Sequence, residues 1–71
     1  MDYCRLTIHP KGDDAGVEIG ALVHELGGTL IEKKLLGMMH YEARFVDNGK
    51  AQEALTELNL MDCVSQAGWI E

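Results

Sequence analysis

Residues Met38 to Val46 alternate in chemistry more cleanly than any other stretch of this chain. Met39, Tyr41, Ala43 and Phe45 are apolar, and His40, Glu42 and Arg44 between them are polar. Side chains along a strand point alternately to the two faces of a sheet. A period-two run of this length therefore predicts a strand buried on one side and open on the other. Such a strand needs neighbours to satisfy its backbone and a layer to cover its apolar face. The rest of a 71-residue chain must supply both.

The neighbours are legible. Cys4 to His9 alternates as well, with Cys4, Leu6 and Ile8 facing the core and Arg5, Thr7 and His9 facing away; Pro10 and Gly12 stop it. Thr29 to Leu36 reads as another strand with less regular alternation, and Gly37 allows the tight turn into Met38. Val64 to Ile70 reads as a fourth strand, interrupted by Gly68. Lysines commonly protect sheet edges, which places Lys33 and Lys34 on a solvated edge strand.

The covering layer comes from two helical patterns. Ala15, Ile19, Leu22, Val23 and Leu26 fall on one helical face. Asp13 or Asp14 is placed to cap that helix, Glu18 suits its positive end, and Gly27-Gly28 ends it. Asp47-Asn48-Gly49 reads as a turn and second cap, followed by the stripe Ala51, Ala54, Leu55 and Leu58. Asn59 and Asp62 bracket the exit.

The order strand, helix, strand, strand, helix, strand makes two split β-α-β units. It predicts an α+β, ferredoxin-like βαββαβ domain spanning residues 1–71, a four-stranded antiparallel sheet with two helices on one face. The other face is left open and carries Arg5, Thr7, His9, His40, Glu42 and Arg44. Arg5 or Arg44 is expected to pair with Glu42 on it. A domain this small buries only about 60% of its unfolded surface, so pairing with a second copy would add to its core.

Composition narrows the function classes. The formal net charge of −6 opposes binding to a phosphate backbone, and the open face lacks the aromatic platform on which RNA bases stack. Nucleic acid is therefore not an expected partner. No apolar run approaches the ~20 residues of a membrane span. The start of the chain lacks the pattern of a secretory signal, so a cytoplasmic location with reduced cysteines is expected. There is no Gly-rich phosphate loop and no Cys-x-x-Cys. Neither cysteine has an evident base with a third group to orient it, so no enzyme activity and no cofactor are expected.

At the first strand-to-helix junction stands Asp13-Asp14-Ala15-Gly16-Val17. The stretch resembles a loop of the ACT domains, small regulatory modules that carry there an Asp, any residue, a Pro, a Gly and an aliphatic residue. Ala15 takes the place of the proline. Gly28-Thr29-Leu30-Ile31 resembles the family's glycine-led second strand. The resemblance implies a non-catalytic module that binds a small molecule, often an amino acid, between the loop of one copy and the second strand of another. Carried over by position, the ligand-binding candidates are Asp13, Gly16 and Val17 in the loop and Thr29 and Leu30 on the strand. It also implies a homodimer with a small-molecule effector, acting on a separate enzyme or transporter. Asp13, Asp14 and Glu18 crowd the same helix start, which favours an amine or a metal ion over a carboxylate.

Two other readings stand beside this one. A protein-interaction module would pair through the sheet edge or open face and bind no metabolite. A metal-binding protein would use His9, His40 and Cys63, which the predicted topology gathers at one end of the sheet. Cys4 belongs at the other end, which argues against an internal disulfide. Trp69 fits either core packing or a dimer contact; Met38, Met39 and Met61 fit packing, and His24 should face solvent.

Overall fold

The computed structural model describes residues 3–12 and 14–70. The elements follow the order β1 (Cys4–Pro10), α1 (Ala15–Glu25), β2 (Thr29–Leu35), β3 (Met38–Phe45), α2 (Asn48–Leu60) and β4 (Val64–Trp69). The strands form one sheet in the order β2-β3-β1-β4, with every neighbouring pair antiparallel. This is the ferredoxin-like α+β arrangement that the alternating patterns predict. No described helix is long and apolar enough to cross a membrane.

Both helices lie on one face of the sheet. Leu6 and Ile8 of β1 and Tyr41, Ala43 and Phe45 of β3 are buried against Ala15, Ile19 and Val23 of α1 and Ala51, Ala54 and Leu58 of α2. The spacing of each helical set, in steps of three or four residues, brings it onto one face. Val64 and Ala67 of β4 complete the same core. Met39 departs from its expected place: the stripe of β3 emerges from the core at its first turn of strand, leaving Met39 42% exposed, and Met38 is exposed as well. Met61 does pack on the core.

The helix ends are held by different means. Gly27 adopts a left-handed φ of +82° and donates to His24 O, while Gly28 N–H reaches Val23 O at 2.8 Å. Together these bonds make a Schellman closure, which needs a residue without a Cβ penalty at Gly27. Asp47 accepts from Lys50 N–H at 3.1 Å and caps α2, which begins directly at Asn48. Asp14 occupies the corresponding place before α1, but its carboxylate makes no capping bond.

Two details differ from the pattern reading. Leu36 belongs to the β2–β3 turn rather than to β2, with φ of +54°, and Gly37 follows at +80°. Two left-handed central residues are the signature of a type I′ hairpin turn. Helix α2 ends at Leu60, between Asn59 and Asp62, where the pattern places its exit. Arg5 stands opposite Arg44, not Glu42, because the β1–β3 register pairs Glu42 with Thr7.

Candidate functional site

The connection from β1 to α1 leaves the sheet at the end where β1 stops. By topology the β2–β3 hairpin, the last turn of α2 and the start of β4 lie at that same end. Lys11 N–H donates to Cys63 O at 2.7 Å, tying the connection to the segment before β4.

The first turn of α1 holds two of the ligand-binding candidates. Gly16 is half-buried against Tyr41: a Cβ built on it would lie 2.5 Å from Tyr41 Oη. Its missing side chain lets α1 settle onto β3. Val17, next to it, points to solvent and is 81% exposed. Asp13 lies outside the described residues. Thr29 and Leu30 sit at the start of β2, in register with Arg44 and Ala43, and hence at the other end of the sheet. Leu30 packs on the core, and a Cβ at Gly20 would meet it at 3.7 Å; Thr29 is exposed on the open face. One chain therefore does not bring the loop and strand candidates together.

The three metal-ligating candidates separate into two groups. His9 and His40 are neighbours on the open face, their ring centroids 5.8 Å apart and their planes tilted by 31°. Cys63 turns to the helix side, where its thiol donates to Glu18 Oε2 at 3.4 Å and packs on the core. Burial pushes this thiol above its ordinary range, and the carboxylates of Glu18 and Asp62 push it further. Cys63 is thus held protonated and apart from the histidines. Cys4, near Asn48 at the far end of the sheet, is also free.

A cavity of about 270 Å³ opens beside the histidine pair, lined by His9, Leu36, Met38, Met39 and His40. The methionines and the turn leucine make its walls apolar. The hint available in the sequence was the pairing of β1 with β3, which sets His9 beside His40; the part played by Leu36 follows only from the turn geometry.

The open face has a charged centre. Glu42 is only 6% exposed although no helix covers it. Its carboxylate accepts from Arg44 Nε and lies 3.9 Å from Lys33 Nζ. The hydrogen bond from Arg44 holds the carboxyl below its ordinary range, and the charges of Arg44, Lys33 and Arg5 act the same way against the cost of burial. Glu42 is spent on neutralising its neighbours and is poorly disposed to act as a general base.

The two sheet edges are unequal. On β4, Asn59 of α2 accepts from Ala67 N–H through Oδ1 and donates to Ala67 O through Nδ2, each at 3.2 Å. A side-chain amide thus occupies the outward backbone groups at mid-strand. The outer edge of β2 carries Glu32, Lys33 and Lys34, all exposed.

No protein-family model matches the chain, and comparison with curated proteins and with solved structures finds no match.

Proposed function

We propose that this chain is a small, non-catalytic regulatory module that binds a small molecule, such as an amino acid, at an interface between two copies. The observation that carries this reading is where the large apolar side chains are exposed. Among the described residues, five of the eight exposed large apolar side chains, Val17 (81%), Leu36 (94%), Met38 (72%), Met39 (42%) and Leu60 (74%), belong to the end of the sheet that carries the β1–α1 connection, and Tyr3, Val46 and Trp69 lie towards the other. Exposed apolar groups gathered in this way mark interaction surfaces more often than accidents of composition. The β2 edge offers a second copy unpaired backbone, whereas β4 is occupied at Ala67 by Asn59. The acids Asp14 and Glu18 beside this end suit an effector bearing an amine. A module of this kind would act on a separate enzyme or transporter.

A second reading has its own observation. In a chain of net charge −6, the open face presents Arg5, Lys33 and Arg44 around one carboxylate. That face suits an acidic protein surface and needs no metabolite.

Molar mass measured across a concentration series, with the Val17→Asp variant in parallel, tests the self-association. Thermal melts against the amino acids and a few nucleotides test the effector. A dimer dissociated by Val17→Asp and stabilised by one class of metabolite is expected. A protein that stays monomeric at every concentration sinks the homodimer. A dimer with a flat response across the panel leaves the protein-interaction reading in place.

A further inference from the structure

We propose that His9, His40 and Met38 form a binding site for a soft monovalent metal ion, Cu(I) or its surrogate Ag(I), on the open face of the sheet. The reading does not depend on the regulatory role above. Three observations carry it.

The first is the spacing of the imidazoles. A metal held ~2.1 Å from one nitrogen of each of two rings sets their centroids about 5 to 6.5 Å apart, from tetrahedral to linear coordination. His9 and His40 stand at 5.8 Å, on adjacent strands of one rigid sheet. No large backbone movement is needed to bring the donors together.

The second is the donor beside them. Met38 precedes His40 by two residues on β3, shares its face, and lines the same cavity of about 270 Å³. Met38 is 72% exposed, so its flexible thioether is free to turn inward without giving up core contacts. Thioether and imidazole together select Cu(I) over harder cations. Leu36 and Met39 would screen the ion from water.

The third is charge. No carboxylate is among the described residues that line the cavity, and Lys33 stands in register with His40. The nearest acid on this face, Glu42, is already engaged by Arg44 and Lys33. A dication would meet two imidazoles, a thioether and a neighbouring ammonium, with no anion at the cavity to balance it. A monovalent ion suffers half that penalty and binds the sulfur more strongly.

The test uses the full chain carrying Cys4→Ser and Cys63→Ser, so that no thiolate competes. Anaerobic Cu(I) is titrated against a chromophoric Cu(I) chelator, and Ag(I) is followed by the ring and methyl NMR signals of the histidines and methionines. One equivalent is expected to bind, shifting His9, His40 and Met38 together. His9→Ala should weaken binding by at least about tenfold, since loss of an outer-shell partner alone costs that much at metal sites. Met38→Leu should weaken it by less, with the fold of both variants checked by circular dichroism; both side chains are exposed, so folding should be kept. Absence of binding in the cysteine-free chain, binding unchanged by His9→Ala, or equally tight Zn(II) binding would each overturn the assignment.

Discussion

Arg44 Nε lies 2.5 Å from Glu42 Oε2, two residues away on the same strand, and the pair sits on the sheet face that carries no helix. Thr7 and Ile31 flank Glu42 in register on the adjacent strands, and Lys33 reaches toward it from β2. Neighbours on the face, rather than a covering layer, remove this carboxylate from water. Its folded-state pKa lies below the unfolded value, so the unfolded chain binds more protons at this position. The resulting stability is fully present above the unfolded pKa and is lost as pH falls through the folded one. Glu42→Gln should therefore be less stable at neutral pH, by about 1–3 kcal/mol, and should lose less stability on acidification below about pH 5. Urea unfolding of both proteins at a series of pH values checks this; parallel profiles would show that the pair contributes nothing specific.

The amide of Asn59 does for β4 what a further strand would do, taking both outward groups of Ala67. It also donates to Leu55 O at 3.1 Å, which anchors the side chain to its own helix. Asn59→Ala should cost about 1 kcal/mol, the loss softened because water reaches the freed edge. The more direct measurement is hydrogen exchange at the Ala67 amide, which should speed up more than that of its neighbours. Uniform exchange across β4 would mean that the fastening is weak in solution.

The period of two in β1 and β3 and the helical stripes of α1 and α2 were readable because burial is one-sided: Tyr41, Ala43 and Phe45 all point inward, as their alternation requires. The topology followed from the order of these patterns. Leu36 was hidden for a chemical reason, since a branched apolar residue in a left-handed turn gives no turn signal and only Gly37 betrays it. Cys63 was hidden for a geometric one. The β1–β4 register shifts between His9 and Pro10, so alternation counted from either strand does not fix the face that Cys63 takes. The same limit applies to Gly16. Its place at the start of α1 was plain, but its contact with Tyr41 depends on how closely α1 approaches the sheet.

That approach is testable at two glycines. A Cβ at Gly28 would meet three atoms of the Phe45 ring within 2.8 Å, whereas one at Gly16 would meet chiefly the hydroxyl of Tyr41. Phe45 is fully buried and has nowhere to move, so Gly28→Ala should be the costlier change; overpacking of a core typically costs about 1–3 kcal/mol. Tyr41→Phe should recover part of the loss caused by Gly16→Ala, because it removes the closest atom, and should recover none of that caused by Gly28→Ala. Denaturant unfolding of the three variants and the two combinations gives the coupling. Equal coupling at both glycines would mean that α1 shifts as a body.

The last prediction separates folding from association at the hairpin tip. Leu36 holds a left-handed φ of +54° and is 94% exposed, so it bears conformational strain and buries almost nothing within its own chain. Asparagine is the residue that this turn position favours, because its short polar side chain tolerates the left-handed region. Leu36→Asn should accordingly stabilise the isolated chain by about 1 kcal/mol. If the exposed apolar groups at this end meet a second copy, the same substitution should weaken self-association. Unfolding measured at low concentration reports the first effect, and sedimentation at high concentration reports the second. A variant that folds more stably and associates less would show that Leu36 is kept for contact rather than for the turn. A variant that gains stability with unchanged association would remove the hairpin tip from the interface and leave Val17 and Leu60 to define it.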